Sequence, residues 1–266
     1  ADGLDFWGFL GSLILGGIIL GIYTGLLGYV GAKTGLSLDL LSQRAFGEKG
    51  SYLPSAMTSF TQIGWFSVGS FVSGGTATPN FARFAKNGKS GAITTVVAFF
   101  IGNSLMFFFG AVSSIFVGGN DIFEVMVRLN LFYLAVLVLG LNIWTTNDNA
   151  LYTAGLGLAN IFHQRKKPMV LLSGIIGTVA SVWLYYNFCG WLNILNCTLP
   201  PVGMILVLAY FMNKEDFETD QPKLKTVDWF AVAGVILGAI VANLLHWGIA
   251  SINGMVVAAV CYCVGQ

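Results

Sequence analysis

Residues Asn142 to Asn149 read Asn-Ile-Trp-Thr-Thr-Asn-Asp-Asn, inside an apolar stretch from Leu131 to about Phe162. Asn142, Thr145, Thr146 and Asn149 are spaced i, i+3, i+4, i+7 and so share one side of a helix. Two amides and two hydroxyls on one stripe, with no positive charge among them, suit a small cation or a polar ligand. Asp148 falls off this stripe. It reads either as a proton or cation site or as a structural hydrogen bond to a neighbouring helix. A carboxylate at the centre of a bilayer costs roughly 2.5 to 3.5 kcal/mol on insertion scales. A polar run in mid-span therefore faces something other than lipid.

A second cluster spans 61–80. Gln62 and Trp65 are i, i+3, so an amide and an indole face the same way. Ser70 and Phe71 come next, and then Ser73-Gly74-Gly75-Thr76 and Pro79 disfavour a regular helix. Helices broken at mid-membrane expose backbone groups, and transporters place binding sites there. Two aromatics with an amide and a hydroxyl suit a flat heteroaromatic ligand, the rings sandwiching it and the amide pairing with its edge. The competing reading makes Trp65 and Phe71 ordinary packing residues among 37 aromatics. No Ser–His or paired-carboxylate arrangement lies at membrane depth and no His-rich metal pattern occurs, so an enzyme is not expected. His163 and His246 sit at span ends and read as interfacial.

Composition sets the elements that must carry these residues. Of 266 residues, 56% are hydrophobic and 9% charged, with mean hydropathy +0.76. Soluble domains carry about 25% charged residues, so the chain reads as an all-α polytopic membrane protein in a lipid bilayer. Its net charge of +1 gives no reason to expect nucleic acid. Cys189, Cys197, Cys261 and Cys263 lack metal or redox spacing and read as small apolar residues. No cleavable signal peptide is visible. The chain starts at Ala1 without Met and its last apolar run ends at Gln266, so both ends are expected to continue in a longer protein.

Apolar stretches long enough to span, or nearly so, occur at 4–30, 91–118, 131–162, 169–188, 190–212, 229–247 and 251–265, a crossing helix needing about 20 residues. Basic residues sort into four loops. These hold Lys33, Arg44 and Lys49; Arg83, Lys86 and Lys89; Arg165, Lys166 and Lys167; and Lys214, Lys223 and Lys225. The positive-inside rule makes all four cytoplasmic. Lys49 and Arg83 then demand an even number of crossings, yet only 33 residues, 50 to 82, separate them. Two spans need about 40. Either a re-entrant pair of half-helices lies here or sequence is missing. Gly17, Gly21 and Gly25 form one small-xxx-small row, and Gly234 with Gly238 another; both read as packing seams. Pro200-Pro201 lies inside the 190–212 span, where it removes backbone donors and could bend the helix or act as a hinge.

Gly21-Ile-Tyr-Thr-Gly-Leu-Leu-Gly-Tyr-Val-Gly-Ala-Lys-Thr-Gly35, Gln62-Ile-Gly-Trp-Phe66, Gly102-Asn-Ser-Leu-Met-Phe107 and Leu139-Gly-Leu-Asn-Ile-Trp-Thr-Thr-Asn-Asp-Asn-Ala150 resemble the nucleobase–cation symport family. The resemblance runs nearly end to end. It implies a leucine-transporter-like inverted-repeat helix bundle, incomplete in this chain, and a secondary transporter of the inner membrane. The implied transport is import of cytosine with a coupling cation, sodium, by alternating access, without a cofactor and as a monomer. By the same resemblance Gln62, Trp65, Ser70, Phe71 and Gly74 correspond to substrate-binding positions, with Phe71 the second stacking ring. Asn142, Thr145 and Thr146 correspond to sodium ligands, a backbone carbonyl at the first and hydroxyls at the others. Residues 4–30 would be the family's second helix. The first helix would be absent, and the segment from the end of helix three to the start of helix six would be lost at 66/67. Two alternatives remain: a non-transporting remnant or binding module, and a transporter of another nucleobase or a hydantoin.

Overall fold

The computed structural model describes residues 6–68, 77–118, 122–219, 222–245 and 247–266, with 65–68 and 185 described as backbone only. Every regular element among them is helical: α1 Phe6–Thr34, α2 Leu38–Phe46, α3 Tyr52–Val68, α4 Pro79–Ala82, α5 Gly88–Val117, α6 Ile122–Arg128, α7 Phe132–Phe162, α8 Lys166–Tyr186, α9 Phe188–Met212, α10 Lys214–Glu218, α11 Trp229–Leu244 and α12 Ala250–Gly265. In lipid the backbone must satisfy its own hydrogen bonds, which a helix does within one segment. α1, α5, α9 and the Lys166–Leu184 stretch of α8 are long and apolar enough to cross a membrane. α7 has 31 residues, about 46 Å at 1.5 Å per residue; its central polar run lowers its hydropathy. α11 and α12 are shorter apolar helices.

The four basic loops gather at one end of the bundle. Lys33 Nζ lies 3.8 Å from Glu218, and Arg44 Nη1 donates to the Asp216 carbonyl. The Glu48 and Lys49 amides donate to the Lys225 and Thr226 carbonyls at 2.8 Å each. The Leu38 amide donates to Asn80 Oδ1 at 2.8 Å. Arg83 donates to the Tyr152 hydroxyl, and Lys166 Nζ sits 3.4 Å above the Tyr152 ring. Arg128 lies at the opposite end, paired with Glu124 beside the last turn of α5.

α9 is the axial helix. Val202, Ile205, Leu206, Ala209 and Tyr210 are each fully enclosed, against Leu27 and Val30 of α1, Leu41 and Phe46 of α2, Val235 of α11 and Tyr262 of α12. α9 runs unbroken through Pro200 and Pro201. Pro201 is buried where glycines let three helices converge. A Cβ on Gly238 would lie 2.6 Å from the Gly254 carbonyl oxygen and 3.2 Å from Pro201 Cγ. The second glycine row packs α1 on α5: a Cβ on Gly17 would meet the Phe100 ring at 2.9 Å, and one on Gly25 would meet Val96 at 2.7 Å. Dispersion and close backbone approach hold helices together where lipid is as apolar as leucine. Outward faces of α5, α7 and α8, such as Phe116, Leu137 and Val179, are exposed apolar surface, as a lipid-facing helix requires.

Candidate functional site

α3, α5 and α7 frame a cavity of about 480 Å³, with α4 contributing Phe81 and Ala82 to its lining. Small-ligand sites occupy roughly 300–1,000 Å³. Gln62 of α3, Asn103, Thr94 and Thr95 of α5, and Thr146, Asn149 and Thr153 of α7 supply the polar lining; Phe81 and Phe99 supply rings. Gln62 is 7% exposed. The buried Thr153 hydroxyl has no hydrogen-bond partner among the described residues. The Thr95 hydroxyl is engaged, donating to the Gly91 carbonyl at 2.6 Å.

Glycine and serine set the α3–α7 wall. A Cβ on Gly157 would lie 2.8 Å from the Ser55 carbonyl oxygen and collide with Ser59 Oγ. The Ser59 hydroxyl instead donates to the Ala154 carbonyl at 3.2 Å. Below this seam a buried polar network locks α2, α3 and α7. The Ser55 hydroxyl donates to Asp39 at 2.6 Å. Asn160 Nδ2 donates to Ser55 Oγ at 2.9 Å and to Ser51 Oγ at 3.1 Å, and its Oδ1 accepts from Gln43 Nε2 at 2.6 Å. Burial pushes the Asp39 carboxyl up to about 6, against the lowering effects of the Ser55 hydroxyl, the backbone and the Arg83 charge. At the foot of α11, burial pushes Asp228 up. Lys225, the Ala231 amide and Gln266 outweigh it and hold the carboxyl below its usual range.

The residues expected to bind are placed unequally. Gln62 and Thr146 face one cavity from two helices, and Asn149 joins them. Asn142 and Thr145 are exposed on the same helix outside that lining, where the Thr145 hydroxyl donates to the Asn142 carbonyl at 3.1 Å. Asp148 is exposed and also lies off the lining. Ser70, Phe71 and Gly74 fall outside the described residues, as does His246, and Trp65 is described as backbone only. Thr94, Asn103 and Thr153 were not apparent from sequence. A lone Asn in the apolar helix 88–117 was the signal for Asn103. α5 widens into a π-helical turn at Val97–Gly102, immediately before it; such turns recur at functional sites.

Four helices of membrane-crossing length and a mostly apolar cavity with a few polar groups between the helices mark a multi-pass membrane protein, and the relatives it matches are permeases and transporters, not enzymes. The chain belongs to the family of permeases for cytosine/purines, uracil, thiamine and allantoin, whose profile matches residues 1–78 and 67–265. The cytosine permeases of Escherichia coli strains K12 and O157:H7 are 36% identical to it over 353 residues, covering 98% of this chain and 84% of theirs. That span exceeds the 266 residues here by 87 (353 − 266), so the match contains relative segments without a counterpart in this chain. A solved structure of Mhp1, a nucleobase-cation-symport-1 family transporter, in a closed conformation with bromovinylhydantoin bound, matches with TM-score 0.78. It covers 99% of this chain and 86% of that one at 14% identity, which shows the leucine-transporter-like fold.

Proposed function

We propose that this chain derives from an importer that carries cytosine with a coupling cation, sodium, across the inner (plasma) membrane by alternating access, its four basic loops on the cytoplasmic side. The observation that carries this reading is the cavity in which Gln62 of α3 meets Thr146 and Asn149 of α7. An amide both donates and accepts, as the edge of a nucleobase requires. Trp65, Ser70, Phe71 and Gly74 complete the substrate site in this reading. The Asn142 carbonyl, Thr145 and Thr146 form the cation half-site; the Asn142 and Thr145 oxygens, 3.1 Å apart, can share one ion. Substrate and cation stabilise the same arrangement, so each raises the other's affinity by the same factor.

The profile's two overlapping matches and the surplus length of the curated relatives support a segment missing near the Phe66–Ser67 junction. Uptake of radiolabelled cytosine into liposomes containing the chain tests the proposal. Saturable uptake that rises with an imposed inward sodium gradient is expected. Uptake indifferent to the gradient would remove sodium coupling. Absence of saturable uptake, with binding retained, would leave a non-transporting binding module. A second substrate reading has one observation in its favour: the Mhp1 neighbour carries a hydantoin. Competition of hydantoins and other nucleobases against bound cytosine separates the two.

A further inference from the structure

Asn103 stands at the middle of α5, fifteen residues from its Gly88 end and thus about 22 Å along the helix. Its neighbours Ile101, Gly102, Leu105 and Met106 are exposed, while Asn103 is half-buried and lines the cavity. The π-helical turn Val97–Gly102 sets this direction, because the extra residue per turn rotates the C-terminal half of α5 relative to an unbroken α-helix. Ala98 and Phe99, on the turn itself, line the same cavity. The Asn103 side chain has no hydrogen-bond partner among the described residues. An amide left without partners at bilayer depth is costly, and polar groups in such positions mark substrate paths. Its amide companions across the cavity come from different helices, Gln62 on α3 and Asn149 on α7. Three amides around one chamber can match both donor and acceptor positions of a flat heterocycle.

We infer that Asn103, presented by the π-helical turn of α5, is a specificity-determining residue that pairs with a polar edge of the ligand in the α3–α5–α7 cavity. The inference rests on the nucleobase reading of that cavity. As amide it serves a ligand edge of either polarity; as carboxylate it only accepts. Asn103→Asp therefore favours ligands that present an amino group there over ligands that present a carbonyl. Asn103→Leu keeps the branching at Cγ and removes the pairing.

The experiment is a competition binding assay on the purified full chain, with cytosine and uracil as probes, for the wild type, Asn103→Leu, Asn103→Asp and Gln62→Ala. Asn103→Leu is expected to weaken at least one probe roughly 5- to 50-fold, the range for stranding a buried hydrogen-bond partner. The cytosine-to-uracil affinity ratio shifts several-fold, and Asn103→Asp moves it in a different direction or degree from Asn103→Leu. A merely structural role would lower both affinities together and leave the ratio fixed, which overturns the inference. Wild-type ratios in both variants, with Gln62→Ala impaired, overturn this inference alone. A wild type that binds neither probe overturns it together with the nucleobase reading. Should Asn103→Leu fail to fold, Asn103→Asp and a further Asn103→Ser variant carry the same ratio test.

Discussion

Replacing Asp39 by asparagine isolates the cost of a buried charge at the basic end of the bundle. Asp39 is 5% exposed and lies in α2, outside the spans, where Ser55 donates to it at 2.6 Å. Its carboxyl is raised from 3.8 to about 6, burial being the largest cause. The folded state therefore holds the proton more tightly than the unfolded chain. The resulting stabilisation is fully present below about pH 4 and is lost as pH rises through about 6. At about 1.36 kcal/mol per unit, roughly 2.2 units correspond to about 3 kcal/mol. The amide of the Asp39→Asn variant would still accept from Ser55 but carries no charge to desolvate. Thermal unfolding in detergent, followed for wild type and Asp39→Asn from pH 4 to 8, reads the difference. The variant should gain on the wild type by about 2.4 kcal/mol of that total across the window, nearly all of it between pH 4 and 7. Parallel curves would refute the buried-charge argument. A wild type that gains on the variant with rising pH would show that Arg83 and Ser55 outweigh burial.

Gly238→Ala should destabilise the α9–α11–α12 junction by about 1–3 kcal/mol through overpacking against Gly254 and Pro201. Gly140→Ala on α7, whose new Cβ would meet nothing within 4 Å, should be neutral or stabilising by up to about 1 kcal/mol; unfolding temperatures of the two variants compare them directly. Asp228→Ala removes the N-cap of α11, in which the Ala231 amide donates at 3.2 Å, and should cost about 0.5–2 kcal/mol at neutral pH. Because the folded Asp228 carboxyl lies below its ordinary value, its contribution is present above about pH 4 and fades as pH falls through the folded value. The difference between wild type and Asp228→Ala should shrink in acid unfolding scans.

Much of this fold is written in hydropathy because lipid leaves the backbone few options. The apolar stretches 131–162, 190–212 and 251–265 become helices Phe132–Phe162, Phe188–Met212 and Ala250–Gly265. Basic residues likewise mark one end of the bundle, where Lys33, Arg44 and Lys49 meet the α9–α11 connection. The site is less legible. Spacing puts Asn142, Thr145, Thr146 and Asn149 on one helix face, but a stripe spans an arc. Only its Thr146 and Asn149 part turns toward α3 and α5. Nothing in Val97-Ala-Phe-Phe-Ile-Gly102 announces a π-helical turn, so the reach of Asn103 into the cavity depends on tertiary packing. Nothing in the sequence marks Asp39 as buried; its burial arises only when α3 and α7 close over α2 through Ser55 and Asn160.

The central claim is that the chamber between α3, α5 and α7 holds a nucleobase through Gln62. Equilibrium dialysis of radiolabelled cytosine against the purified chain in sodium-containing buffer, with Gln62→Ala in parallel, tests it most directly. One saturable site per chain is expected, weakened roughly tenfold or more in Gln62→Ala, as for a buried polar edge left unpaired. Equal cytosine affinity in the two proteins, or no saturable binding to the wild type, would contradict it.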